Sequence, residues 1–462
     1  MGARIAPDLA AWPHDALIDA GYAMMHRKYY VYVNVNKSRV FPRQMFASPA
    51  APLGTIPRIL ETSNFVTESA VSDLANLDDI VALRRDLHAH PELCYEEHRT
   101  AKVVADALRG WGIETHTGIA KTGVVGVIKR GASDRAIMLR ADMDALPMQE
   151  ENQFEHRSRH DGKMHGCGHD GHTAMLLAAA RHLQQEGGFD GTVYFCFQPA
   201  EEGGAGGRAM IQDGLFERFP CEAVFGMHNW PGLEAGSFGV CAGPMMASAN
   251  GFKITVRGKG GHAAAPHDCA DPVPALFAIG QSLQTILTRS KRPLDAAVLS
   301  ITQVQAGGSV INVIPGSAWL GGSVRAYSTD VVDLIERRMH EIAGSIAAAH
   351  GCEAEVYFER RYPALINTPA ETEFCMQVMR EVAGADHARV IEPVMASEDF
   401  AFLLQAKPGC YVFLGNGDGD HRMAGHGLGP CMLHNTSYDF NDALIAPGAS
   451  YWVRLTQRYL AG

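Results

Sequence analysis

Residues 172–198 read HTAMLLAAARHLQQEGGFDGTVYFCFQ, and this stretch decides the fold. Its first half is an apolar, alanine-rich run of helical length, closed by Gly187-Gly188. Its second half, VYFCFQ, is a short continuous apolar run, as expected of a strand covered on both faces. Similar runs stand on either side: GVVGVI (123–128) and AIMLRA (136–141) before it, AVFGMH (223–228) after it. Apolar strands alternating with helices predict an α/β domain built on a mostly parallel sheet.

Outward from this core the periodicity stays legible. Leu74, Leu77, Ile80, Leu83 and Leu87 recur at helical spacing until Pro91, and a second helix is expected from about Glu97 to Trp111, with Gly110 and Gly112 as breakers. Between Ala249 and Arg361 the pattern changes. GFKITVRGKG (251–260) alternates as a strand, Pro272–Thr288 reads as a helix, and AAVLSITQVQ (296–305) and SAWLGGSVRAY (317–327) as strands. Val331–His350 reads as a second helix and EAEVYFER (353–360) as a last strand. That β-α-β-β-α-β order is the split, ferredoxin-like α+β unit. It predicts a domain over 249–361 that interrupts a catalytic domain formed by 66–248 and 362–462. VFLGNG (412–417) and the helix ALIAPGASYWVRLTQRYL (443–460) return to the first style.

The first 65 residues match neither domain. YYVYVNV (29–35) has strand composition and ASPAAPLGTIP (47–57) reads as a linker, while Asp8, His14 and Asp15 interrupt any signal-peptide core. The segment is expected to be either a disordered extension or the product of a start codon placed too early, with Met24, Met25 and Met45 as later candidates.

Composition narrows the function classes. With 40 Lys+Arg against 51 Asp+Glu the net charge is −11, which argues against a nucleic-acid partner. At 47% apolar and 20% charged residues the chain is neither disordered nor fibrous. No run approaches the roughly 20 apolar residues of a membrane span, so no membrane partner is expected. The ten cysteines are scattered singly, without a CxxC pair. That excludes a zinc ribbon and a disulfide-stapled scaffold, and reduced thiols fit a cytoplasmic protein.

Ligand-type residues sit just past the strands: Asp142 and Asp144 after AIMLR, Glu201 and Glu202 after VYFCF, His228 at the end of AVFGM. Sites in open α/β sheets lie outside the carboxyl ends of the strands. Met164–His172 (MHGCGHDGH) adds a thiol and three imidazoles in a glycine-rich loop, in which Cys167 and His169 can turn toward one ion. Thiolate with imidazole suits zinc, and carboxylates admit manganese, cobalt or nickel. Neighbours in extended chain point to opposite sides, so of Glu201 and Glu202 one is expected to face metal and the other substrate. His434, in MLHNTSYDF, is a further ligand candidate. Any one of these residues alone would more readily be structural; their joint placement favours a site.

Blocks such as ALRRDLHAHPEL (82–93), RADMDALPMQE (140–150), MHGCGHDGHTAMLL (164–177), FQPAEEGGAGGRAMI (197–211), GKGGHAAAPH (258–267), AGGSVINVIP (306–315) and LHNTSYDFND (433–442) appear in the order seen in a known family. From about residue 74 to the C-terminus the chain resembles the aminoacylase/carboxypeptidase-like, metallopeptidase-type amidohydrolases, the family of hippurate hydrolases, N-acyl-amino-acid amidohydrolases and auxin-conjugate hydrolases. The resemblance implies two divalent metal ions (Mn, Zn, Co or Ni) held by Cys167, His169, Glu202, His228 and His434. It implies Glu201 as general acid/base, Asp144 as an orienting carboxylate and His262 as an oxyanion donor from the inserted domain. Asn312 and Arg325 would hold the carboxylate of an N-acyl amino acid. It leaves Asp142 open and places Cys94, where relatives often carry Gly, near the site in a packing role. A homodimer or dimer of dimers through the inserted lid domain is expected, with GFKITVRGKG as a pairing edge strand. A dipeptidase or carboxypeptidase of the same family is the nearest rival, and a non-catalytic conjugate-binding relative the more distant one.

Overall fold

The computed structural model describes Leu74 and residues 77–462. The expectations for residues 1–65, including a strand over YYVYVNV, lie outside the described residues. An eight-stranded sheet organises the larger part. Its strands run, edge to edge, Glu114–Ile119, Gly123–Arg130, Gly191–Gln198, Ala136–Asp142, Ala223–Pro231, Gly409–Gly417, Phe238–Val240 and Ala388–Val390. The central strands from Gly191–Gln198 to Gly409–Gly417 are parallel, and antiparallel pairs lie toward the edges. Every residue of Ala136–Asp142 and Gly191–Gln198 is buried, as their unbroken apolar character predicts.

The helix expected in the opening stretch spans His169–Glu186. Gly168 starts it at φ +92°, and Gly187 and Gly188, at φ +67° and +83°, end it in a conformation that side chains resist. It packs against helices Asp78–Ala89 and Ile445–Tyr459. The second expected helix spans His98–Gly110.

Strands Ala249–Arg257, Ala297–Ala306, Ser317–Ala326 and Glu353–Tyr362 form a separate antiparallel sheet with helices Pro272–Thr285 and Thr329–Ala349, the β-α-β-β-α-β order. Phe252, Ile254 and Val256 share one core with residues of both helices, while Lys253 between them is exposed on the other face. One expectation is overturned here. Ala249–Arg257 pairs with Ser317–Ala326 on one side and Glu353–Tyr362 on the other, so GFKITVRGKG is an inner strand. The edges are Ala297–Ala306 and Glu353–Tyr362. Alternating hydrophobicity reports that one face is buried and says nothing of position across the sheet. Among the described residues no helix is long and apolar enough to cross a membrane.

Candidate active site

Parallel strands deliver their carboxyl ends to one place. Asp142 lies opposite Gln198 in the ladder, and His228 sits in the next strand. Past Gln198 the chain turns sharply. Ala200 takes φ +55°, its N–H held by Glu97 Oε1 at 2.9 Å, and the Glu201 and Glu202 N–H groups then donate to Asp144 Oδ1 and Oδ2 at 3.0 and 2.9 Å. The two glutamates therefore stand in a turn. They do not point to opposite sides as extended chain would dictate: one carboxylate oxygen from each lies, with a His169 nitrogen, inside a group spanning 4.8 Å.

Further groups of that span overlap around the same point: Cys167 with His169 and His228, Cys167 with Glu202 and His434, and Asp142 with His169 and His172. Cys167 Sγ is 3.3 Å from His228 Nε2, and His434 Nε2 is 3.1 Å from Glu202 Oε1. His169 Nδ1 lies 3.3 Å from Asp144 Oδ1 and Nε2 lies 3.7 Å from Asp142 Oδ2. Neither His169 nitrogen, nor Glu202 Oε1, has a hydrogen-bond partner of acceptable geometry, although all three are buried. Each such orphan costs about 1–3 kcal/mol unless something coordinates it. Together these groups offer a thiol, four imidazoles and three carboxylates, a set that fits divalent transition ions.

Electrostatics follow from the crowding. Burial works against a charged His169, but Asp142 and Asp144 outweigh it and raise its pKa to about 10. Burial first, then Glu398 and Glu202, hold the Glu201 carboxyl well above the usual range. Burial, then Glu202 and Glu201, do the same to the Cys167 thiol. These shifts describe a pocket of excess negative charge, which a cation relieves.

The structure gives Asp142 a definite place. Arg140 Nη1 donates to Asp142 Oδ2 at 2.7 Å, and His172 Nδ1 lies 2.6 Å from Asp142 Oδ1. Cys94, expected only to pack, has a polar setting: its Sγ is 3.1 Å from both Asp144 Oδ2 and the Glu202 carbonyl oxygen.

Cys167, Glu201, Glu202, His228 and His434 line a cleft of about 580 Å³. Arg325 faces them, donating to Ser397 Oγ at 2.8 Å, together with Arg361 and Tyr362. Trp230, Met246, Met432 and Leu433 supply an apolar wall. Asn312 and His262 are not there. Both are exposed and do not line this cleft: His262 lies in a two-stranded ladder, Gly261–His262 against Val313–Ile314, and Asn312 in the turn just before Val313. Sequence reasoning also missed Arg140, whose guanidinium joins Asp142 to Glu398 and Asp399 at 3.0 and 2.9 Å. An arginine inside an otherwise apolar strand was the one available signal, since buried guanidinium requires paired acids.

Comparison with known proteins places this fold in a family. The family model for Peptidase family M20/M25/M40 matches residues 138–458. Hippurate hydrolase of Campylobacter jejuni is 41% identical over 379 residues, 82% of this chain and 96% of that protein. IAA-amino acid hydrolase ILR1-like 4 of Arabidopsis thaliana is 38% identical, over 86% of this chain and 89% of that one. The crystal structure of the Bacillus subtilis YXEP protein, a dinuclear metal binding peptidase of the M20 family, superimposes with a TM-score of 0.70 at 32% identity, covering 85% of this chain and 99% of that one. With a strand-end cluster of thiol, imidazole and carboxylate on the M20 fold, the chain belongs to peptidase family M20/M25/M40 and is a metal amidohydrolase.

Proposed function

We propose that this enzyme hydrolyses the amide bond of N-acyl amino acids, hippurate-like substrates first, releasing a carboxylic acid and an amino acid. The observation that carries the reading is the pair Glu201–Glu202: adjacent in the chain, both held by Asp144, and both on the cleft beside Cys167, His169, His228 and His434. In this reading Cys167, His169, Glu202, His228 and His434 hold two divalent ions of the Mn, Zn, Co or Ni group. When bound, such ions supply Lewis acidity that acidifies water and offsets charge on the carbonyl oxygen.

The chain's own residues do the rest. Glu201 takes the proton of the attacking water and returns it to the amine as the C–N bond breaks. Asp144 fixes the turn that carries both glutamates and orients His169. Arg325, partly buried and, among the described residues, hydrogen-bonded to the neutral Ser397 hydroxyl with no acidic partner, can grip the substrate's α-carboxylate.

His262 and Asn312 serve in this scheme as oxyanion and carboxylate donors to the cleft of a second copy, since they are exposed and do not line their own. That requires a homodimer, or a dimer of dimers, through a lid of residues 249–361 set into a catalytic domain of 66–248 and 362–462. Exposed Val304, Val310, Ile311 and Val313, on and beside the edge strand Ala297–Ala306, support such a contact. Ten unpaired cysteines support a cytoplasmic setting. The test is a panel of benzoyl-glycine, acetyl-amino acids and dipeptides offered to enzyme reconstituted with Mn²⁺ or Zn²⁺. Benzoyl-glycine should be cleaved at least tenfold more efficiently than dipeptides; a dipeptide preference would reassign the enzyme to the peptidase branch.

A further inference from the structure

The last lid strand carries an irregularity at the cleft. In its ladder with Ala249–Arg257, Arg360 lies opposite Asn250 and Tyr362 opposite Ala249, so Arg361 is the extra residue of a β-bulge. Bulges re-aim side chains, and are frequent beside active sites. Here the bulge separates three consecutive residues. Arg360 turns to helix Thr329–Ala349, its Nε 3.0 Å from Glu336 Oε2. Tyr362 turns to the catalytic turn, its hydroxyl accepting the Gly203 N–H at 2.8 Å. Arg361 lines the cleft with Arg325.

The cleft therefore has two guanidinium groups facing its metal-binding wall. Arg325 makes a hydrogen bond to the Ser397 hydroxyl, with no acidic partner among the described residues. Arg361 Nε is 2.8 Å from Glu359 Oε2, but both side chains are widely exposed, at 60% and 40%, and such a pair contributes little. Both arginines also border a groove of about 380 Å³ on the open face of the lid sheet, so they mark where the cleft continues away from the metal-binding wall. Burial and then Arg361 lower the pKa of Arg325, the signature of two cations in mutual repulsion.

A hippurate-like substrate brings one carboxylate to this pair. We infer that the amino-acid half of the preferred substrate carries a second one, an N-acyl glutamate or aspartate, with the α-carboxylate on Arg325 and the side-chain carboxylate on Arg361. The inference rests on the amidohydrolase reading and makes Arg361 a specificity-determining residue. The test compares kcat/KM of the metal-loaded enzyme for N-benzoyl-glutamate and for its neutral isostere N-benzoyl-glutamine. The expected ratio is about tenfold or more in favour of glutamate, falling close to one in Arg361→Gln and largely retained in Arg361→Lys. Turnover of both substrates without a glutamate preference, or a preference unchanged in Arg361→Gln, would overturn the inference alone. If Arg361→Gln does not fold, the wild-type ratio decides: a value at or below one overturns it. Hydrolysis of neither substrate, nor of benzoyl-glycine, would overturn the N-acyl-amino-acid reading and this inference with it.

Discussion

Glu201 and Glu202 share a turn and a supporting carboxylate, yet their environments differ. Glu202 Oε1 is buried, makes no hydrogen bond and lies 3.1 Å from His434 Nε2, the setting of a ligand atom. Glu201 Oε1 accepts a long hydrogen bond from the Asp399 N–H at 3.4 Å and sits near Glu398, the setting of a carboxyl with a strong hold on a proton. Substitution should separate the two. Glu202→Gln is expected to weaken metal binding by at least ten- to a hundredfold, because an amide cannot replace a charged ligand. Elemental analysis after dialysis checks this, and a full metal complement in Glu202→Gln would remove that residue from the ligand set.

Among the elements, the turn that starts helix His169–Glu186 sets the position of Cys167 and His169. Gly168 has φ +92°, and a Cβ there would fall 2.2 Å from Asn229 Oδ1 and 2.5 Å from Tyr438 Oη. Gly168→Ala is therefore expected to destabilise the fold by more than about 1 kcal/mol, from backbone strain alone, and to displace these two proposed ligands. Urea unfolding measures the first effect and metal content the second; wild-type values for both would show that the turn adapts. Elements of this kind were legible in the sequence wherever a local pattern encoded them. The apolar strands, the glycine stops and the β-α-β-β-α-β order each have a short-range signature. What was not legible depends on partners far away in the chain. Arg140 meets Glu398 and Asp399 about 258 residues later, strand Ala249–Arg257 is internal because the distant strands Ser317–Ala326 and Glu353–Tyr362 flank it, and the bulge at Arg361 exists only relative to its neighbour's register. The turn at Ala200 likewise overrode the alternation expected for Glu201 and Glu202, because Glu97 and Asp144 hold its N–H groups.

For the whole molecule the relation that matters is between the lid's exposed ladder and the cleft. His262 and, just beside it, Asn312 belong to the former, while Cys167, Glu202, His228 and His434 line the latter, so the proposed chemistry needs two copies. A mixture of Glu201→Gln and His262→Ala chains, each nearly inactive, should then regain activity as mixed dimers form, since one of their two clefts combines an intact Glu201 with an intact partner His262. No recovery, with mixed dimers shown by native mass spectrometry, would place His262 outside the chemistry. In the proposed reaction Glu201 moves the proton of amide hydrolysis. This role is tested most directly by benzoyl-glycine turnover of metal-loaded wild type and Glu201→Gln with bound metal measured in both. Glu201→Gln is expected to keep two ions per chain and to lose about 10²–10⁴-fold in kcat. Turnover by Glu201→Gln equal to wild type, at equal metal content, would contradict that role.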